Sequence, residues 1–149
     1  MAEGKILGID FGERRIGVAI SDALKITAQV LPTIKVKFPQ QAIIKLKNII
    51  SEKNISEIVV GMPYNLKGEK GNTAQKVEVF IEQLKNNFQL PIHIWDERLT
   101  SVAAERTIVE FGKSPSRNKE KIDQIAALFI LQAFLDRISL TKKNELNSK

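Results

Sequence analysis

The hydrophobic positions near the start of the chain follow the two-residue period of β-strands. An apolar run covers residues 5–11, a turn led by Gly12 interrupts it, and the alternation resumes over 16–21. This order predicts a β-hairpin. The β-branched residues around Pro32 predict a third strand within 26–36, at an edge of the sheet because proline cannot donate a ladder hydrogen bond.

Beyond that strand the apolar positions change to the period of helices. Helical spacing over 42–50 is followed by a strand over 57–62 and by a second apolar stripe over 77–88, which Asn72 or Thr73 can cap. This alternation predicts a β-α-β arrangement. It adds parallel strands to the antiparallel hairpin and gives a mixed sheet with helices on both faces.

The last third of the chain predicts one more strand and two helices. The strand covers 92–95, a helix covers about 100–111, and a long amphipathic helix begins at Ile122 after a basic loop over 113–121. The residues beyond Leu140 are polar. We therefore assign one α/β domain to residues 1–140 and expect residues 141–149 to form a disordered tail.

Composition narrows the classes of function. The 149 residues are 43% hydrophobic and 27% charged, which suits one folded domain. No apolar stretch approaches the roughly 18–20 residues that span a bilayer, so we expect a cytoplasmic protein without membrane association. The net charge of +6 favours a polyanionic partner, but only weakly.

The chain contains no cysteine and one histidine, His93. This excludes disulfide bonds, thiolate zinc sites and cysteine nucleophiles, and it leaves too few histidines for a histidine-rich metal site. The remaining ligands for a metal ion are oxygen and nitrogen atoms. Any bound metal is therefore expected to be a hard cation held by carboxylates.

Carboxylates stand at the ends of several predicted elements. Asp10 ends the first strand, Asp96 and Glu97 follow the last strand, and Asp123 lies in the first turn of the last helix. Each has an ordinary explanation by itself: a turn contact, an ion pair, or a favourable helix dipole. One fold that brings them to the same rim would make them repel unless one or two Mg²⁺ or Mn²⁺ ions bind. That arrangement predicts metal-assisted hydrolysis of phosphodiester bonds by water.

Basic residues come shortly before Asp123 in the chain. They are Lys113, Arg117, Lys119 and Lys121, with one acidic residue among them. A solvated loop is the commoner explanation of such a run. Beside a rim of carboxylates, however, these residues would guide a phosphate backbone, and the affinity would depend on salt.

Small residues surround Asp10 in the hairpin. Gly8, Gly12, Gly17 and Ala19 leave side-chain space near its carboxylate. Two interpretations are equally open. The space admits a phosphate or a sugar, or it accommodates a helix packed against the sheet.

Four segments, in this order along the chain, resemble the YqgF family, also called RuvX or Holliday-junction-resolvase-like proteins: residues 9–22, 59–65, 96–101 and 123–136. The resemblance implies a ribonuclease H-like fold with a five-stranded sheet in the order 3-2-1-4-5. It also implies a bacterial cytoplasmic nuclease that processes the 5′ end of the 16S ribosomal RNA precursor. An alternative activity in this family is the resolution of Holliday junctions.

The resemblance also implies roles for individual residues. Asp10, Glu97 and Asp123 would be the catalytic, metal-binding acids, and Asp96 is close enough to Glu97 to compete for that role. The implied cofactor is Mg²⁺ or Mn²⁺, with two ions expected.

Three arginines have an implied role at the same site. Arg14, Arg15 and Arg98 would contact phosphate or orient the acids. The chain departs from the family pattern at Met62, where leucine is usual, and at Lys67, where aspartate is common. The second departure puts the substrate role of its loop in question.

Other functions remain open from the sequence. The hairpin also resembles the phosphate loop of actin-like and sugar-kinase ATPases, but those proteins contain two copies of the fold and this chain has room for one. A nucleic-acid-binding module that does not cleave is the non-enzymatic alternative. Precursor rRNA and branched DNA are both possible substrates, and the sequence does not distinguish a monomer from a homodimer.

Overall fold

A computed structural model describes residues 3–65, 67–99 and 115–147, and within the last range the side chains from residue 122 onward. The helix expected over 100–111, its cap Thr100 and Lys113 lie outside these residues. In chain order the described elements are β1 (Lys5–Asp10), β2 (Arg15–Ser21), β3 (Ala28–Val30), β4 (Ile34–Lys35), α1 (Pro39–Glu52), β5 (Ile55–Met62), α2 (Asn72–Asn87), β6 (Ile92–Asp96), a 3₁₀ turn (Glu97–Leu99) and α3 (Pro115–Asn147).

The strands form one mixed sheet in the order β3-β2-β1-β5-β6, with β4 also paired to β2. β2 is antiparallel to both β1 and β3, whereas β5 is parallel to both β1 and β6. The expected ribonuclease H-like order is therefore confirmed. One difference is that the expected third strand is split into β3 and β4. Pro32 lies between the two pieces and has no N–H to continue a ladder.

Helices cover both faces of the sheet, as expected. α1 and α2 pack on one face, over side chains that include Leu7, Ile9 and Val60. α3 packs on the other face, over Ile6 and Val59. The two central strands are thus buried on both sides, which explains their nearly continuous apolar sequences.

Two helices begin at other residues than expected. α2 has Gly71 as its N-cap without a side-chain capping bond, so neither Asn72 nor Thr73 caps it. α3 begins at Pro115, so residues 115–121 are helical and do not form the expected basic loop. Proline suits the first turn of a helix, where its missing N–H has no partner to lose.

The polar residues at the end of the chain also differ from expectation. α3 continues through Asn147, so residues 141–147 are helical with exposed side chains. This stretch contains no glycine or proline to stop a helix. The Thr141 hydroxyl donates a hydrogen bond of 2.9 Å to the carbonyl of Arg137, one turn earlier. A domain boundary at residue 140 stays a prediction.

Part of α3, Ile122–Asn147, is long and apolar enough to cross a membrane by length and composition alone. Its Ala126, Ile130 and Leu131 are buried against the sheet. Core helices of soluble proteins pass the same test for this reason, so the helix is weak evidence for a membrane span.

A charged cluster joins α3 to the sheet at the end away from Asp10. Glu57 accepts a hydrogen bond of 3.2 Å from Lys25 and lies 3.1 Å from Nε2 of His93. The His93 ring packs against Phe134 of α3, with ring centroids 4.9 Å apart. Burial raises the pKa of the Glu57 carboxyl, but the hydrogen bonds and charges of His93 and Lys25 outweigh burial and leave this pKa below its usual value.

Candidate active site

Asp10 is a buried carboxylate at the end of β1, with 8% of its surface exposed. Side chains alternate along a strand, so Asp10 lies on the same face as Ile6 and Gly8. Ile6 packs against α3. Directly across the hairpin, Asp10 is paired with Gly17 of β2. The carboxylate therefore belongs to the α3-covered face of the sheet, at the end where β1 stops.

Asp123 of α3 is placed over the strand beside Asp10. A Cβ atom on Gly17 would lie 2.1 Å from the Asp123 carbonyl oxygen, so only glycine lets the helix backbone come this close to β2. The Asp123 carboxylate accepts a hydrogen bond of 3.2 Å from Nε of Arg15. Two of the predicted acids, Asp10 and Asp123, thus lie at the same end of the hairpin.

Glu97 is placed over the strand on the other side of Asp10. It follows β6 in the 3₁₀ turn, and its Oε1 atom is buried. A Cβ atom on Gly61 would lie 3.2 Å from this oxygen and 2.5 Å from Cδ1 of Ile130. Gly61 comes one residue after Val60, whose partner in β1 is Ile9, so Gly61 is next to Asp10 across the sheet. The structure therefore brings Glu97 to the same rim.

The glycines at this rim mainly make room for α3 to pack closely against the sheet. A Cβ atom on Gly8 would lie 2.6 Å from Cβ of Leu131 in α3, and Gly17 similarly makes room for the helix backbone. Gly12 has a different role, because a Cβ there would lie 2.4 Å from the carbonyl oxygen of Arg15 across the tight turn. Gly61 was missed from the sequence, although a glycine inside a buried strand is a known signal of close approach.

Asp96 has a different environment from its neighbour Glu97. Nε of Arg98 donates to both carboxylate oxygens of Asp96 at 3.0 Å, and a second guanidinium nitrogen donates at 2.6 Å. The hydrogen bonds from Arg98 lower the pKa of the Asp96 carboxyl, with partial burial opposing them. The guanidinium also lies 5.3 Å from the centre of the Tyr64 ring. Asp96 is therefore an anchor for Arg98.

The two departures from the family pattern lie at the end of β5 and in the loop that follows it. Met62 is buried in the core beneath α1 and α2, so a flexible side chain replaces leucine in an apolar site. Lys67 is exposed, and its N–H donates to the Asn65 side chain at 3.0 Å. The next residue, Gly68, has φ of +81° and packs against Arg98. The Asn65 side chain thus holds the loop by a hydrogen bond, and Gly68 brings the loop backbone close to Arg98.

The family model described as "RuvX: Holliday junction resolvase" matches residues 4–137. The chain belongs to this family. A relative from Koribacter versatilis is 43% identical over 145 residues, covering 97% of this chain and 95% of the relative. One from Ruminiclostridium cellulolyticum is 45% identical over 141 residues, covering 94% and 99%. Both carry the name "Putative pre-16S rRNA nuclease".

Solved structures of resolvases share the fold of this RuvX-family chain. RuvC of T. thermophilus, in complex with a Holliday junction substrate, aligns with a TM-score of 0.56 at 12% identity, covering 91% of this chain and 96% of RuvC. The Fowlpox virus resolvase in complex with Holliday junction DNA aligns with a TM-score of 0.51 at 10% identity, covering 90% and 98%. These likenesses confirm the ribonuclease H-like fold.

The basic residues predicted for nucleic-acid binding are only partly described in this RuvX-family structure. Arg14 is exposed in the turn after β1, and Arg15 is half-buried beside Asp123. Arg117, Lys119 and Lys121 lie in the first turns of α3, but their side chains are outside the described residues, as is all of Lys113. Their contact with nucleic acid stays a prediction.

The donor chemistry of the rim suits a hard divalent cation, because Asp10, Glu97 and Asp123 offer carboxylate oxygens and no sulfur. Among the described residues, however, no group of three or more acidic or histidine side chains is arranged to hold a metal ion. Asp123 instead pairs with Arg15. The three-carboxylate metal site therefore stays a prediction.

Proposed function

We propose that this RuvX-family chain is a divalent-metal-dependent nuclease that hydrolyses phosphodiester bonds during 5′-end maturation of the 16S rRNA precursor in the cytoplasm. Family membership and the names of its relatives support this activity. The observation that carries the proposal is the rim itself. Asp10, Glu97 and Asp123 come from β1, the turn after β6, and α3, and all lie at one end of the α3-covered face.

We assign the metal ligands to Asp10, Glu97 and Asp123. Glu97 is chosen over Asp96 because both oxygens of Asp96 already accept hydrogen bonds from Arg98. The Glu97 carboxylate, in contrast, lies over Gly61 next to Asp10. Mg²⁺ or Mn²⁺, as one or two ions at these ligands, would activate water and stabilise the charge that develops on the phosphate oxygens.

The arginines complete the site in this proposal. Arg15 neutralises Asp123 when no cation is present, which lowers the repulsion among the carboxylates. Arg98 is held by Asp96 and by the Tyr64 ring, so it presents a fixed guanidinium for a phosphate at the same end of the sheet. Exchange of Arg15 from Asp123 to the substrate phosphate would couple metal binding to substrate binding.

The direct test compares Asp10→Asn with Asp136→Asn, an identical change at an exposed position of α3. Cleavage of a precursor-rRNA 5′ fragment is measured with Mg²⁺, with Mn²⁺ and with EDTA. We expect Asp10→Asn to reduce cleavage at least about 100-fold, because a charged group in a water-excluded site contributes on this order. Asp136→Asn should cleave like wild type. Full cleavage by Asp10→Asn, or cleavage in EDTA, contradicts the proposal.

Holliday junction resolution is the second candidate function. The family description and the two resolvase complexes of the same fold favour it. A four-way DNA junction in the same assay distinguishes the candidates, since a resolvase must cut two opposed strands and needs two copies of the site. Junction cleavage by a dimeric species, with precursor rRNA left intact, would support resolution. Binding of both substrates without cleavage would support the non-enzymatic module.

A further inference from the structure

A cavity of about 510 Å³ opens beside the rim, between the β1–β2 turn and α2. We call it the turn pocket and define it by Glu13, Arg14 and Arg15 on the turn and Thr73 and Lys76 on α2. Its volume falls within the range of about 300–1,000 Å³ typical of ligand sites. The pocket lies on the α2 side of the turn, and Arg15, which lines it, also pairs with Asp123 on the α3 side.

The shape of the turn pocket is fixed by packing on both sides. The Phe11 ring stacks on Phe80 of α2, with centroids 4.4 Å apart and planes inclined by 26°. This contact holds the turn at a set distance from the helix. Gly12 lets the turn close against the Arg15 carbonyl, because a Cβ there would lie 2.4 Å from that oxygen. The cationic side chains therefore surround a preformed cavity.

The charge of the turn pocket suits an anion. Arg14, Arg15 and Lys76 face one carboxylate, Glu13, which forms an ion pair with Lys76. The Lys76 and Glu13 side chains are 56% and 65% exposed. An exposed pair of this kind is weak, typically under about 1 kcal/mol, so a stronger anion can displace Glu13. A phosphodiester is such an anion, because it also hydrogen-bonds to arginine.

We propose that the turn pocket binds a backbone phosphate of the nucleic-acid strand, next to the phosphate that is cleaved, with Lys76 as a contact residue and Glu13 as the anion that the phosphate displaces. The proposal rests on the nuclease function proposed above and adds a binding site to it. Arg15 connects the two sites, because it lines the pocket and also pairs with Asp123. Lys76 is 63 residues from Glu13, so sequence spacing gives no sign of the pair.

The test compares Lys76→Gln with Lys85→Gln. Lys85 is exposed at the far end of α2 and pairs with Glu82 at 3.8 Å. Both substitutions therefore remove one positive charge from the same helix. The probe is a short fluorescein-labelled single-stranded RNA. Its Kd is measured by fluorescence anisotropy over a KCl series in EDTA, where metal-dependent cleavage is absent. Thermal unfolding of both variants confirms that they fold.

Lys76→Gln is expected to weaken binding and to reduce the slope of log Kd against log salt by about 0.7, the value of one lost phosphate contact on a single strand. Lys85→Gln should leave the slope at the wild-type value. Glu13→Gln should tighten binding about two- to fivefold when Lys76 is present, as expected for an exposed pair, and less in the Lys76→Gln background, where no ion pair remains to be displaced.

Equal slopes for Lys76→Gln and Lys85→Gln would overturn the turn-pocket proposal, as would equal tightening by Glu13→Gln with and without Lys76. The proposed nuclease function has a separate readout. Metal-dependent cleavage by wild type together with equal slopes rejects the pocket alone. A wild-type protein that binds the RNA with the expected slope difference but does not cleave rejects the nuclease function alone.

Discussion

Gly61 offers a perturbation that separates the packing of the rim from its chemistry. In Gly61→Ala, the new Cβ would lie 2.5 Å from Cδ1 of Ile130 and 3.2 Å from Oε1 of Glu97. In the matched variant Gly8→Ala, the three atoms nearest to the new Cβ all belong to α3, and the first of them is Cβ of Leu131 at 2.6 Å. Both variants add one methyl group to the interface between α3 and the sheet.

The two added methyl groups contact atoms that differ in how easily they can move. Cδ1 of Ile130 is the far end of a side chain and can rotate away, so Gly61→Ala should lose about 1 kcal/mol of unfolding free energy, the low end for overpacking. Cβ of Leu131 is attached to the backbone, so Gly8→Ala must displace α3 and should lose about 3 kcal/mol. Stability is therefore expected to fall more in Gly8→Ala.

Activity should fall in Gly61→Ala even though its loss of stability is small. At 3.2 Å the Glu97 carboxylate must move by a few tenths of an ångström to reach the ordinary contact distance of 3.4 Å. A displacement of about 1 Å in an active site costs about 100-fold, so a smaller shift of a metal ligand should cost up to about tenfold. Gly8→Ala displaces α3, which also carries Asp123, so its cleavage should fall together with its stability.

Urea unfolding gives the two stabilities, and single-turnover cleavage of precursor rRNA gives the activities. The cleavage assay is run at a temperature where circular dichroism shows both variants folded. Wild-type cleavage by Gly61→Ala, together with the expected small loss of stability, would refute the placement of Glu97 as the acid that Gly61 accommodates.

Two further predictions concern the other acidic residues. Glu97→Gln should abolish cleavage across a Mn²⁺ titration, whereas Asp96→Asn should retain cleavage and bind RNA more weakly because Asp96 orients Arg98; equal losses in the two variants would contradict the ligand assignment. Glu57→Gln should lower stability by under about 1 kcal/mol at neutral pH, because the pKa of Glu57 is lowered in the folded protein. The difference in unfolding free energy between wild type and Glu57→Gln is complete above the usual pKa of 4.5 and disappears as the pH falls through the lowered value. Urea unfolding over a pH series measures this difference. A difference that persists in strong acid would contradict the assigned cluster.

The parts of the fold that could be predicted from the sequence are those with buried, periodic side chains. The apolar stripe of α2 is an example, since Val77, Phe80 and Leu84 are all buried as their spacing indicates. The first turns of α3 and its last residues could not be found in this way. They are helical but polar, and hydrophobic periodicity reports only the part of a helix that packs against something.

The candidate site shows a similar limit. The acids could be selected because a carboxylate at the end of an apolar strand is unusual. The Arg15–Asp123 pair could not, because 108 residues separate its members and only the docking of α3 on β2 brings them together. The preference for Glu97 over Asp96 as the proposed metal ligand likewise needed the structure. Gly61 of β5 lies next to Asp10 and close to the Glu97 carboxylate, and the sequence does not show this proximity.

The position of Asp123 on α3 has a consequence for protein synthesis. α3 follows every described strand in the chain, so the ribosome translates the sheet before it translates the third acid of the proposed site. Until α3 emerges and docks over Gly17, the rim of Asp10, Glu97 and Asp123 is incomplete in the nascent polypeptide. The order of the elements along the chain thus makes this rim one of the last parts of the fold to be completed.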